Sequence, residues 1–308
     1  MDCLKSNNAC VNAIMFPGSY AWSSYGTDSF SFPSSKVKML YIPYSYDSPF
    51  GWASLSACYL THSPGPIPAL LATNPKGKFF CIHFHGNACD IGQVAICAAR
   101  ESSALFSHYL LVEYPGYGLS SENSYASEYT INHVAYSVLQ FVMKRFQIPH
   151  NRIILIGRSI GTGPVCYLAS HMQEQGTPPL ACVLHSPYVS IHGASSDLLG
   201  DCIYTCFLDR FVNHKHLIGD YTKDRRVIQS PVLFIHADGD KVINPIHSTL
   251  LHTHRQQCGL PSHIHIQQST EFIIKGHNYF DYEHDVVQPI HEFIKSLCGD
   301  YVHDIHTY

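Results

Sequence analysis

Gly157-Arg158-Ser159-Ile160-Gly161 follows the apolar run Ile153-Ile154-Leu155-Ile156 and leads into a segment with helical spacing. Few five-residue stretches limit the fold of a chain so strongly. Glycine two positions to either side of a serine is what a sharp strand-to-helix turn requires, because a side chain at either glycine would collide with the neighbouring strand or helix. The serine is forced into a strained backbone conformation that lifts its hydroxyl out of the sheet. The pentapeptide therefore predicts a strand, a turn and a helix, with a nucleophile at Ser159. Taken alone, the motif could also be a chance turn.

The surroundings favour the first interpretation. From Lys78 onward, short apolar runs alternate with longer amphipathic ones. Phe79–Phe84, Tyr109–Glu113, Ile153–Ile156, Ala181–His185, Val232–His236 and His263–Gln267 have strand character, and Gly92–Phe106, Ile131–Phe146, Ile160–Met172 and Val286–Leu297 have helical character. Such alternation predicts a single α/β domain with a mostly parallel sheet covered by helices on both faces. Strand-like alternation also occurs at Val37–Pro43 and Ala57–Thr61, followed by a turn-rich linker over Ser63–Pro68 and Asn74–Gly77. The domain is expected over 37–300, preceded by a poorly ordered or membrane-proximal segment at 1–36.

Residues 188–228 interrupt the alternation as a cap-like insertion. Within it Leu199, Ile203, Phe207 and Phe211 recur at four-residue spacing and predict one apolar helical stripe. That stripe either packs on the main core or lines an acyl-binding groove. Its position after the C-terminal end of a strand, where α/β sheets bind ligands, favours considering the second use.

Composition excludes several function classes. A formal net charge of −4 and the absence of any Lys/Arg block give no footprint for nucleic acid. No window approaches about 18 consecutive apolar residues, so no membrane-spanning helix is expected. No secretory signal is evident at Met1-Asp2-Cys3-Leu4-Lys5, and the 12 cysteines lack paired metal spacings, so a reducing cytosolic compartment fits best. The 22 histidines include His83/His85, His214/His216, His252/His254 and His263/His265, but spacing implies no third ligand, and no metal site is expected. The glycines around Ser159 do not form Gly-x-Gly-x-x-Gly and no Gly-Lys-Ser/Thr occurs, which argues against a phosphate cradle.

A serine nucleophile needs a base, an orienting acid and an oxyanion hole. With the chain order Ser, then Asp or Glu, then His, the base should lie beyond the last core strand. His277, in Gly276-His277-Asn278, fits that place. The acid should follow Val232–His236, where Ala237-Asp238-Gly239-Asp240 offers two carboxylates; Asp240 is favoured because it precedes an apolar-anchored turn, with Asp238 the alternative. The oxyanion hole is assigned to the main-chain amides of Ile160 and Asn87, the latter in the loop His83–Ala88 after the first core strand. No cofactor is required for this chemistry.

His85-Gly86-Asn87-Ala88, Tyr114-Pro115-Gly116-Tyr117-Gly118, Gly157–Gly161, His185-Ser186-Pro187 and Gly276-His277-Asn278 together resemble the α/β-hydrolase-domain 17 group, close to the Bem46-like serine hydrolases. The resemblance implies an α/β-hydrolase fold and hydrolysis of the thioester between palmitate and cysteines of S-acylated membrane proteins. It also implies a peripheral location on the cytosolic face of membranes through an S-acylated N-terminus, for which Cys3 and Cys10 are the candidates. Here the match is partial, because the group has a cysteine cluster, and Asp2 excludes N-myristoylation. One acyl chain holds a membrane only marginally. Val11 and Ala13–Phe16 could add shallow insertion or pack on the core.

Two other departures bear on substrate choice. Arg158 stands where the group usually has Gln, and is expected to reach the site entrance. The cap shares little beyond Cys206-Phe207, Asp209 and Phe211. A carboxylesterase or lipid esterase would use the same residues, and a catalytically silent interaction protein of the same fold is the alternative from another class.

Overall fold

The computed structural model describes residues 36–45, 65–87, 89–120, 125–200, 209–219 and 226–299, excluding the side chains of 96, 198 and 199. The expectations for 1–35, including Cys3, Cys10 and Val11–Phe16, lie outside these residues, as do Ala57–Thr61 and the cap residues 201–208.

Eight strands form one sheet in the order β1-β2-β4-β3-β5-β6-β7-β8. They are β1 Val37–Ile42, β2 Ile67–Ala72, β3 Phe79–Phe84, β4 Ser107–Val112, β5 Ile153–Arg158, β6 Ala181–His185, β7 Val232–Ala237 and β8 Ser262–Gln267. From β4 to β8 every pairing is parallel, while β1 and β2 join antiparallel at one edge. All loops that leave β3 to β8 at their C-terminal ends therefore gather along one edge of the sheet, which is where such sheets hold ligands.

The helices are α1 Ile91–Ala104, α2 Glu128–Arg145, α3 Thr162–Glu174, α4 Ile191–Leu199, α5 Asn213–Leu217, α6 Ile246–Gln257 and α7 Gln288–Cys298. Asp90 caps α1 through the amide of Gln93, and Ser127 with Thr130 forms a capping box on α2. α1 and α7 cover one sheet face with Ile91, Ala95, Ala98, Ile290, Phe293 and Ile294. α2, α3 and α6 cover the other with residues such as Val134, Val138, Val165, Leu168 and Leu251. The helix-covered, mostly parallel sheet is the α/β domain expected from the alternation, in the α/β-hydrolase form that the resemblance implied.

Two sequence expectations need correction. The turn-rich linker at Ser63–Pro68 ends in a strand: Ile67–Ala72 is β2, buried throughout. Pro68 disguised it, since proline donates no ladder hydrogen bond and argues against a strand. It is tolerated because its carbonyl still accepts from the Glu113 amide at 3.1 Å.

The two described ends of the apolar stripe, Leu199 and Phe211, do not share one helix. α4 stops at Gly200, whose φ of +79° suits a helix terminator, and Phe211 has φ +44°. Phe211 is buried on α3, where any side chain at Gly163 would overlap its ring. Buried Arg255 on α6 holds the excursion to the core by donating to the carbonyls of Leu217 at 2.7 Å, Ile228 at 2.9 Å and Ser230 at 3.1 Å.

Candidate active site

Ser159 sits immediately after β5 with φ +52°, in a three-residue turn that runs into α3. Both flanking glycines are needed. A Cβ on Gly157 would overlap the Gly161 carbonyl, and one on Gly161 would overlap the carbonyl of Phe84. Thr162 braces the turn by donating its hydroxyl to the Ser159 carbonyl at 2.8 Å. A serine in the left-handed region is held there only by such surrounding constraints.

His277 arrives from the loop after β8, and its Nδ1 lies 2.7 Å from Oδ2 of Asp240, which follows β7. Nδ1 therefore carries the hydrogen that the carboxylate accepts, leaving Nε2 as the basic nitrogen. Oδ1 of Asp240 accepts from the amides of Val242 at 2.8 Å and Ile243 at 3.0 Å. Burial by itself would raise this carboxyl, but hydrogen bonds from His236 and His277, with the amide of Ile243, hold it well below the usual carboxylate range. Asp238 does not approach His277. It accepts from the amide and hydroxyl of Ser269, at 2.9 and 2.5 Å, and so ties the two loops together.

A second histidine touches the same carboxylate. Nε2 of fully buried His236 lies 3.3 Å from Asp240 Oδ2 and 2.9 Å from the Ile243 carbonyl. Both neighbours are acceptors, so this nitrogen carries a hydrogen. Nδ1 is 2.7 Å from the Ser248 hydroxyl. In the sequence His236 is the last residue of the strand Val232–His236, and its spacing carries no signal of this contact.

The loop after β3 passes beside the nucleophile: a Cβ on Gly86 would lie 3.7 Å from that of Ser159. The structure thus brings the Asn87 loop and the Ser159–Ile160 turn together. Asn87 Oδ1 accepts from the Tyr117 hydroxyl at 2.6 Å, and the His85 carbonyl accepts from that of Tyr114 at 2.6 Å. Beneath the loop, His85 Nδ1 faces the Gly86 carbonyl at 2.9 Å and Nε2 faces Glu113 Oε1 at 3.1 Å. With acceptors at both nitrogens, the ring donates twice and is an imidazolium. Burial alone would lower its pKa, but Cys89 and the Glu113 carboxylate raise it to about 10. By distance the carboxylate is the stronger partner.

Glu113 was missed in the sequence, although a carboxylate closing an apolar strand run is itself a signal that a partner must exist. Removing one partner of such a pair typically costs about 3–5 kcal/mol. Glu113→Gln is therefore expected to lower the melting temperature substantially. A free histidine titrates near 6.5, so the folded ring's raised value stabilises fully below about pH 6.5, and that contribution disappears as pH rises towards about 10. Thermal melts of the wild type should fall across that alkaline range, with a shallower fall in Glu113→Gln. Parallel curves would show that the pair does not carry the effect.

The His-x-His pairs are not brought together as metal ligands. Among the described residues, no group of three or more His, Cys, Asp or Glu side chains is arranged to hold a metal ion. His83 bonds Tyr109 at 2.7 Å and His252 bonds Ser262 at 2.8 Å. Among the described residues no helix is long and apolar enough to cross a membrane.

Fold and site geometry together are of the α/β-hydrolase type. The curated relatives carry the same group name as the sequence resemblance: the chain is 31% identical over 179 residues to human alpha/beta hydrolase domain-containing protein 17B and 30% identical over 178 residues to protein 17C of Mus musculus. Each match covers 58% of this chain; it spans 56% of the human protein and 50% of the mouse one. A longer match, 28% identical over 231 residues, covers 71% of this chain and 81% of L404 of Acanthamoeba polyphaga mimivirus, named as a candidate alpha/beta hydrolase. Among solved structures, an alpha-beta hydrolase from Vibrio vulnificus superposes with a TM-score of 0.63 at 14% identity, covering 94% of this chain and 91% of its own. No family model matches the chain.

Proposed function

We propose that this chain is a serine hydrolase that cleaves acyl thioesters, palmitoyl among them, from S-acylated cysteines of membrane-associated proteins. The observation that carries the hydrolytic part is the His277–Asp240 bond of 2.7 Å at the sheet edge where Ser159 stands in its strained turn. Ser159 Oγ attacks the thioester carbonyl while His277 Nε2 takes its proton. The amides of Asn87 and Ile160 receive the tetrahedral oxyanion, each such donor being worth about a hundredfold to a thousandfold in rate. The C–S bond breaks and the leaving sulfur takes the proton back from His277 Nε2, departing as the cysteine thiol; this protonation is less demanding than for an amine because the thiol pKa is far lower. His277 then draws a proton from water, which attacks the acyl-enzyme and releases the fatty acid.

The lipid side of this proposal is supported by the loop that carries His277. Phe272, Ile273 and Ile274 are 93%, 59% and 72% exposed, and Tyr279 is 79% exposed. A bond from the Thr270 amide to the Ile273 carbonyl at 2.8 Å shapes the turn that presents them. Consecutive large apolar side chains in water are costly unless something covers them. A bilayer surface would do so while setting His277 and Ser159 beside a membrane-tethered acyl chain. A cytosolic location, with lipidation at Cys3 or Cys10 as a second anchor, completes the proposal.

The discriminating experiment compares turnover of a palmitoyl-peptide thioester with that of its matched oxyester. Faster thioester hydrolysis is expected. Oxyester turnover far above it would make the protein a carboxylesterase or lipid esterase. Inertness to both and to fluorophosphonate would leave a silent interaction protein. The surface is tested separately by the double variant Phe272→Ser/Ile274→Ser. Cleavage of the palmitoyl peptide on phosphatidylcholine vesicles should fall by at least about a hundredfold, in line with roughly 1.5–3 kcal/mol for burying each of the two side chains. A short soluble thioester should be cleaved as before, and equal loss on both substrates would argue against a membrane role.

A further inference from the structure

Arg158 has no step in the chemistry above, yet its side chain touches two loops of the site, those after β3 and β8. Nη2 donates to the main-chain carbonyl of His277 at 2.8 Å and to Oδ1 of Asn278 at 2.5 Å. Nη1 lies against the oxyanion-side loop, 3.4 Å from where a Cβ on Gly86 would stand. The guanidinium lies over Phe280, with Cζ 5.5 Å from the ring centroid. Phe280 in turn packs edge-on to His185, the strand neighbour of Arg158, at 4.9 Å.

These contacts act as a fork rather than as a charge pair. Both bonded acceptors are uncharged oxygens, and both lie on the loop after β8, about as far along the chain as the sheet permits. A planar guanidinium can hold two such oxygens while its flat face stacks on a ring, a planar stacking that a lysine ammonium does not offer. Burial, and Arg158 after it, keeps His185 well below the ordinary histidine range. A neutral ring therefore packs against Phe280 beside the guanidinium.

We infer that Arg158 is a positioning residue: its guanidinium fastens the backbone of the His277 loop to the nucleophile turn, alongside Gly86. This rests on the serine-hydrolase function proposed above. It adds a role to the sequence expectation that Arg158 approaches the site entrance and alters substrate choice. The Asp240 bond fixes one end of the imidazole, but the ring's backbone needs its own anchor, and small displacements of a catalytic group can cost about a hundredfold.

The test uses the full chain with p-nitrophenyl butyrate as a short soluble substrate. Arg158→Met should lower kcat by about tenfold to a hundredfold with KM nearly unchanged, and Arg158→Lys should fall between it and wild type. Guanidinium ion at low, non-denaturing concentration should restore part of the activity of Arg158→Ala but none of that of Ser159→Ala. Amide exchange across 276–282 should quicken in Arg158→Met. An unchanged kcat with raised KM would overturn the inference and make Arg158 a substrate contact. If Arg158→Met does not fold, wild-type kcat in Arg158→Lys overturns it equally. Wild-type protein that resists fluorophosphonate would sink the hydrolase function and this role with it. A labelled wild type with indifferent Arg158 variants would sink this role alone.

Discussion

Ser159→Ala is expected to abolish labelling by a serine-directed fluorophosphonate and to cut acyl hydrolysis by about 10⁶-fold, the scale seen when the nucleophile of a triad is removed. The size follows from the mechanism, because no other group can form the acyl-enzyme. The turn itself should survive. Its shape is set by the glycines at 157 and 161, which admit the carbonyls of Gly161 and Phe84, and by the Thr162 hydroxyl. Melting temperature should therefore stay close to that of wild type. Labelling that persists in this variant would remove Ser159 as the nucleophile. A collapsed melting temperature would show that activity was lost through the fold instead.

Asp240→Asn should cost about 10⁴-fold in kcat, the loss expected when the orienting carboxylate becomes an amide and the histidine takes the wrong tautomer. Here the effect has a second source. Asp240 Oδ2 accepts from His277 at 2.7 Å and stands 3.3 Å from Nε2 of His236. An amide nitrogen turned towards them would set donors against donors, whereas the amide oxygen can still serve the Val242 and Ile243 amides. Asp238→Asn is the control, since that carboxylate bonds Ser269 and lies apart from the imidazole. Measuring kcat for both variants decides the acid. A severe loss in Asp238→Asn with little change in Asp240→Asn would reverse the assignment.

The candidates of the site were legible because each stands at the end of a strand that periodicity reveals. Ser159 follows β5, Asp240 follows β7, His277 follows β8 and Asn87 follows β3. Parallel strands gather these ends at one edge, so the order of runs along the chain was enough to nominate them. What periodicity could not supply were the partners. Glu113 is 28 residues from His85 and Arg158 is 119 from His277. Their meetings depend on tertiary arrangement, β4 lying beside β3 and the loop after β8 reaching back past β7 and β6 to the end of β5, which hydrophobic spacing does not encode.

Local chemistry also misled in two places. Pro68 hid a buried strand because proline penalises a ladder only where its missing hydrogen is needed. The four-residue spacing from Leu199 to Phe211 suggested one helix, but among the described residues Gly200 ends α4 after Leu199 and Phe211 fills the space that Gly163 leaves open on α3.

By itself, the sequence determined the α/β domain and the strained serine turn, because both rest on local rules: apolar period, and the steric demand for glycine at 157 and 161. Only the tertiary structure decided which carboxylate meets His277, that an imidazolium on Glu113 underlies the Asn87 loop, and that Arg158 grips the His277 backbone. Those are contacts between segments distant in sequence, set by how the strands lie side by side.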